Sequence, residues 1–245
     1  MPAHLRMTAC GGRGQPAYCG PFMDLRETLP PHASWLRQLY PRLRTHWVAK
    51  CIGTTLGMTF FFIVYFWVLH HPFYPITIMP LTAVDRWIGF RPEALGLYIS
   101  LWIYVSLGPA FLTERRELSS YLLAVVVLSV IGLGIFFFWP TAVPTSALGL
   151  PGHPFFAMLE KVDASGNACP SLHVAFAVFT ACWFQRLLTE MGAGRVARTL
   201  NWLWCLGILY STIATRQHVA LDVLAGAVLG AVVASVNLRL LRRAA

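Results

Sequence analysis

Residues 218–237 read HVALDVLAGAVLGAVVASVN. From Val219 to Asn237 this run is apolar apart from Ser235, its terminal Asn237 and one acid, Asp222. Its length is close to the roughly 20 residues a helix needs to cross the hydrocarbon core of a bilayer. An ionisable group at such a helix centre costs about 2.5–3.5 kcal/mol, so Asp222 calls for a partner. His218 stands four residues earlier. On a helix that spacing is a rise of about 6 Å and a turn of about 400°, which puts both side chains on one face. The carboxylate can then accept a hydrogen bond from one imidazole nitrogen and leave the other free. That fixes the tautomer and makes the free nitrogen a better nucleophile. The plainer alternative is an inert His–Asp pair that only satisfies itself.

Working outward, five more apolar segments share this character: about 47–69, 94–112, 119–139, 171–188 and 199–214. Lys50 is placed to snorkel at the start of the first. Backbone polar groups in lipid must be bonded internally, so the six segments are expected to be helices. Trp47, Trp139 and Tyr210 stand near segment ends, where interfacial aromatic residues belong. Composition agrees. Of 245 residues, 57% are hydrophobic and 12% charged, and the mean hydropathy is +0.60. This excludes a disordered chain and an ordinary soluble enzyme. The expected fold is an all-α polytopic membrane protein: a six-helix bundle over 47–240, preceded by a cytoplasmic or interfacial segment over 1–46.

The net charge of +9 admits a nucleic-acid partner or a topology signal. With the N-terminus inside, fifteen of the nineteen basic residues fall on the cytoplasmic side. Only Arg86, Arg91, Lys161 and Arg216 fall outside. The surplus is therefore read as positive-inside topology, with both termini cytoplasmic and no nucleic-acid partner.

Residues 1–33 are rich in Gly, Pro and Arg and read as a mobile tail. Residues 1–46 hold no continuous apolar run, so no cleavable signal peptide is expected and the first span reads as an uncleaved anchor. From Ser34, aromatic and leucine residues recur at helical spacing between Arg37, Arg42 and Arg44. This is an interfacial stretch on anionic headgroups or a basic flank of the first span, and Pro41 argues against one straight helix through it. The six cysteines (Cys10, Cys19, Cys51, Cys169, Cys182 and Cys205) show no metal-site spacing and no disulfide framework.

A second cluster, Cys169-Pro170-Ser171-Leu172-His173, follows the outer loop 140–170 and opens the fourth span. Ser171 suits an N-cap, and His173 falls in the first turn at the same outer surface as His218. Arg216, in the tight turn before His218, brings a guanidinium matched to phosphate, or an interfacial contact with a lipid headgroup. A nucleophile, an acid and anion donors at one depth are the parts of a phosphoryl-transfer site.

Pro170-Ser171-Leu172-His173, followed by Ser211 and then His218-x-x-x-Asp222, resembles the type-2 phosphatidic acid phosphatase superfamily. Ser211 stands seven residues before His218, the family's spacing. The chain departs from the family at three places. Thr212 replaces an Arg, whose charge Arg216 can supply from the next helical turn. Leu172 replaces a Gly, a variant that, together with Thr215-Arg216-Gln217-His218, resembles the branch containing inositol phosphorylceramide synthases. The first motif, Lys, six residues, Arg-Pro, is represented only by Arg91-Pro92, with Val84 at the Lys position. The stretch expected to match it, Pro140–Pro144, has no base.

The resemblance implies that His218 attacks phosphorus and that Asp222 orients it. His173 would protonate the leaving alcohol and then activate water or an acceptor hydroxyl. Arg216, Ser171, Ser211 and Arg91 would hold phosphate oxygens. It implies no metal and no cofactor; the outer acids Asp85, Glu93, Glu160 and Asp163 are scattered over two loops. The substrate is expected to be a lipid phosphate, met at the extracytoplasmic face of a membrane, most simply the cell inner membrane. Phosphatidic acid, phosphatidylglycerol phosphate, undecaprenyl diphosphate and sphingolipid-type acceptors are all compatible. A headgroup phosphotransferase uses the same chemistry with an alcohol in place of water. From another class, a transporter or scaffold would use His218 and Asp222 as a proton relay.

Other features take structural readings. His70-His71 is interfacial, and His153 is placed at the site entrance or in an ordinary loop. Phe136–Trp139 is a lipid-facing anchor, and Glu114–Glu117 a solvated inner loop. Gly226 and Gly230 suit close helix packing within the bundle.

Overall fold

The computed structural model describes residues 35–144 and 166–243. The N-terminal tail with Arg6, Arg13, Arg26, Cys10 and Cys19 lies outside the described residues, as do Ser34, His153, Glu160, Lys161 and Asp163. The described chain is mostly helical. In order, its helices are α1 (Leu39–Arg44), α2 (Trp47–His70), α3 (Ala83–Ile88), α4 (Leu95–Ile99), α5 (Leu101–Ala110), α6 (Arg115–Phe138), α7 (Leu172–Glu190), α8 (Arg195–Ala214) and α9 (Ala220–Arg243). Two short strands, β1 (Thr77–Ile78) and β2 (Thr141–Ala142), pair in parallel.

Four helices, α2, α6, α7 and α9, are long and apolar enough to cross a membrane. The segment expected as one span at 94–112 is divided into α4 and α5 at Ser100. The Ser100 hydroxyl donates to the Leu97 carbonyl (2.6 Å) and accepts from Trp204 Nε1 (2.9 Å). The ladder itself continues, with the Ser100 N–H bonded to the Gly96 carbonyl (3.0 Å) and the Tyr104 N–H to that of Ser100 (2.9 Å). The fifth segment is one 20-residue helix, α8, with Arg195, Arg198 and Asn201 in its first half.

Helix α7 forms the centre of the bundle, with Val174, Ala175, Ala177, Phe179 and Trp183 fully buried. Helix α9 packs directly on it. A Cβ at Gly226 would collide with the Ser171 carbonyl oxygen, and one at Gly230 with that of Ala175. The Gly-x-x-x-Gly pair therefore brings two backbones together inside the bundle, as its spacing suggests. Gly132 of α6 likewise makes room for Leu172. Leu172, which stands where the related motif has Gly, is thus a packed core side chain, 5% exposed. Outward faces are apolar too: Phe60, Ile63, Leu123 and Val130 are each more than 60% exposed, as lipid-facing side chains are.

Several local expectations are corrected. The chain does not break at Pro41, which sits in the first turn of α1, where a missing N–H costs nothing. It breaks at His46, in the left-handed region at φ 55°. Lys50 does not snorkel: it is buried, and Nζ donates to the carbonyls of Arg42 (2.9 Å) and Ala110 (2.7 Å). Phe136 is a core residue, 1% exposed, although Phe138 and Trp139 face outward. Glu117 belongs to α6 and pairs with Arg186 of α7, so 114–117 is not simply a solvated loop.

Candidate active site

The start of α7, the end of α8 and the start of α9 meet at one end of the bundle. Helix α8 stops at Ala214 with two bonds that close a Schellman turn: Arg216 N–H to the Ile213 carbonyl (2.9 Å) and Gln217 N–H to that of Thr212 (3.1 Å). That turn needs a left-handed residue, usually glycine. Here it is Arg216, at φ 58°. A non-glycine residue there costs roughly 1–2 kcal/mol, a strain that persists where the side chain is needed. Because the chain reverses at this point, Arg216 does not share a helical face with Thr212, as the spacing had suggested. Its guanidinium instead stacks over the Phe90 ring at 5.6 Å.

His218 precedes α9 by two residues, so it does not sit on that helix. Asp222 does, and its Oδ2 accepts the Val219 N–H (3.0 Å), the reach-back of a carboxylate at the third helical position. Asp222 is fully buried, and its Oδ2 is 3.7 Å from His218 Nδ1, an ion-pair distance and not a hydrogen bond. The Nδ1 partner is the Ala168 carbonyl oxygen, at 3.1 Å. A carbonyl only accepts, so Nδ1 carries a proton, and in the neutral ring Nε2 keeps its lone pair. Nε2 is buried and has no hydrogen-bond partner among the described residues. The holder of the ring is thus the backbone and not, as the spacing had suggested, Asp222; the carboxylate stands by as a nearby charge.

The Ala168 carbonyl is itself held from β2. The Ala168 N–H donates to the Thr141 carbonyl (3.2 Å), and the Cys169 N–H donates to Thr141 Oγ1 (2.7 Å). The base-free stretch Pro140–Pro144 thus fixes the carbonyl that holds the His218 ring. The Cys169 thiol lies beside Asp222; burial first, then that negative charge, pushes its pKa up to about 11, so the thiol stays protonated.

Ser171 is the N-cap of α7, its Oγ accepting the Val174 N–H (3.3 Å), as its position suggested. His173 follows in the first turn, its ring 5.6 Å from that of His218. Tyr98 of α4 stacks on His173 at 5.0 Å, and its hydroxyl is 3.0 Å from His173 Nε2. Nothing in the sequence singled out Tyr98, because its place depends on how α4 is rotated against α7.

A cavity of about 220 Å³ opens beside His218. Its polar wall is His218, Arg216, Asp85 and Arg86, and Leu81 and Ile213 are among its apolar lining. Asp85 and Arg86 had no assigned role in the sequence. The signal for Asp85 was the capping box Thr82-x-x-Asp85. Oδ2 accepts the Thr82 N–H and hydroxyl, each at 2.7 Å, and Oδ1 reaches across to the Ala220 N–H at 2.7 Å. Three of the four expected phosphate ligands, Ser171, Ser211 and Arg91, do not line this cavity, and neither does His173. Ser211 is fully buried and its hydroxyl donates to the Ile208 carbonyl (2.6 Å). Arg91 bonds through its backbone N–H to the Ala214 carbonyl (2.8 Å), and its side chain is exposed.

This is a helical membrane protein whose site holds two histidines, one with a buried nitrogen that has no partner among the described residues, next to an arginine-lined cavity. A family model described as PAP2 superfamily matches residues 94–236, more than half of the chain, and the protein belongs to that superfamily. Membership gives it a phosphatase or phosphotransferase type of activity. No curated protein and no solved structure matches the chain.

Proposed function

We propose that the protein is a metal-independent lipid phosphatase that works through a phosphohistidine at the extracytoplasmic membrane face. The observation that carries this reading is His218 Nε2, which has no partner among the described residues while the other ring nitrogen is held by Ala168. Nε2 attacks phosphorus, a P–N bond forms, and the P–O bond to the lipid alcohol breaks. The His173 imidazolium gives its proton to the leaving oxygen. Neutral His173 then takes a proton from water, whose oxygen displaces His218 and releases inorganic phosphate. Arg216 and the amides at the start of α7 bear the charge on the phosphate oxygens. Asp222 stabilises the positive charge that builds on His218 during attack.

The site stands at the outer end of a six-span bundle with both termini cytoplasmic, as the distribution of bases supports. Cell inner membrane is the proposed location. With an alcohol in place of water at the second step, the same intermediate makes a new lipid. The Ser-Leu-His and Thr-Arg-Gln-His sequences support that transferase alternative.

The test is a screen of labelled lipid phosphates with purified protein, with and without EDTA and with and without lipid alcohols. Phosphate release that survives EDTA and is lost in His218→Ala supports the reading. Strict divalent-cation dependence, or undiminished turnover by His218→Ala, overturns it. New lipid products formed with added alcohol identify a transferase.

A further inference from the structure

The missing first motif leaves the site short of cations, and the cavity shows another source. We infer that Arg86 supplies a second phosphate-binding charge beside Arg216, for the phosphate group of a lipid standing at headgroup depth. The inference rests on the phosphatase reading above and deepens it by naming the group that replaces the absent motif bases.

Arg86 and Arg216 come from distant parts of the chain and line the same cavity as His218. Arg86 is exposed, and its one bond among the described residues runs from Nη1 to the Leu81 carbonyl at 3.2 Å. A guanidinium has five N–H donors in a planar fork, so most of them face solvent and suit a phosphate oxygen pair. The neighbouring Asp85 does not cancel this charge by pairing with it. Its oxygens hold Thr82 and Ala220. The Asp85–Ala220 bond also ties α3 to the start of α9, so Arg86 keeps its position relative to His218. On the same short helix, Trp87 is 85% exposed and Val84 46% exposed. An exposed Trp of this kind belongs at the membrane–water interface, where lipid phosphates lie. Arg86 therefore meets a phosphate presented from the bilayer.

The test is calorimetric titration of wild type, Arg86→Gln and Arg86→Lys in nanodiscs of neutral lipid, first with inorganic phosphate and then with dioctanoyl phosphatidic acid. Arg86→Gln is expected to weaken both ligands about 10-fold or more, as loss of a charge-assisted hydrogen bond does. Arg86→Lys should recover part of the loss. Dioctanoyl phosphatidic acid should bind wild type more tightly than inorganic phosphate. Equal binding by wild type and Arg86→Gln, or no phosphate binding by wild type, overturns the role of Arg86. Equal affinity for the two ligands overturns the lipid assignment. Failure of the phosphatase reading shows separately, as phosphate release that does not depend on His218.

Discussion

His218 Nδ1 donates to the Ala168 carbonyl at 3.1 Å, while the acid that its sequence pattern pairs it with, Asp222, stays 3.7 Å away. The backbone sets the tautomer and the carboxylate sets the field. A carbonyl cannot take up the imidazole proton at working pH, so this arrangement keeps Nε2 unprotonated whenever the ring is neutral. Everything that holds Ala168 therefore bears on His218, the proposed nucleophile.

Thr141 is the main such holder. Thr141→Val keeps the shape but removes the oxygen that accepts the Cys169 N–H. A buried donor left without a partner costs about 1–3 kcal/mol. The expected result is a lower Tm together with a fall in kcat larger than any rise in KM, and Thr141→Ser should restore both. Steady-state kinetics and thermal melts in detergent check this.

His173→Gln removes the proposed acid but retains a polar side chain beside Tyr98. General acid catalysis contributes about 10²–10⁴-fold, so kcat should fall by that order for a lipid phosphate. A substrate with a good leaving group, such as a nitrophenyl phosphate, should lose much less, because its departing oxygen needs no proton. Equal losses on the two substrates would rule out the acid role.

Arg216→Gly separates stability from function at one residue. Glycine relieves the left-handed strain at φ 58°, worth roughly 1–2 kcal/mol. It also removes the guanidinium from the cavity. Chemical denaturation should show a protein at least as stable as wild type, and the activity assay a loss of 10-fold or more.

Gly230→Leu tests the packing of α9 on α7. The new side chain meets the Ala175 backbone, which cannot move aside, and overpacking of this sort costs typically 1–3 kcal/mol. The Tm should drop clearly. Leucine at Gly53, where nothing lies within 4 Å, should leave it unchanged.

Much of this was legible in the chain. The long apolar runs located α2, α6, α7 and α9, because a helix is the only segment that satisfies its own backbone in lipid. Gly226 and Gly230 announced a close helix pair, and Ser171 its cap. His173 and His218 were readable because titratable residues at the ends of apolar runs are rare. The helical pairing of His218 with Asp222 was misread, since α9 begins two residues late and its first turn takes Asp222 as a backbone cap. Arg91 was chosen for its neighbour Pro92, whereas in the fold its side chain is exposed and it is the preceding ring, Phe90, that stacks on Arg216.

The sequence by itself determined the membrane class, the positions of the long helices and the pair of histidines at one end of the bundle. Hydrophobic run length and local spacing are properties of the chain alone. Only the tertiary structure decided which groups touch those histidines. Ala168, Thr141, Tyr98 and Asp85 act through contacts between residues 27 to 135 positions apart. Such contacts depend on helix rotation, on a two-residue strand pair and on a turn strained at Arg216. None of these leaves a periodic signal, because each is set by packing between elements and not by the order of residues within one.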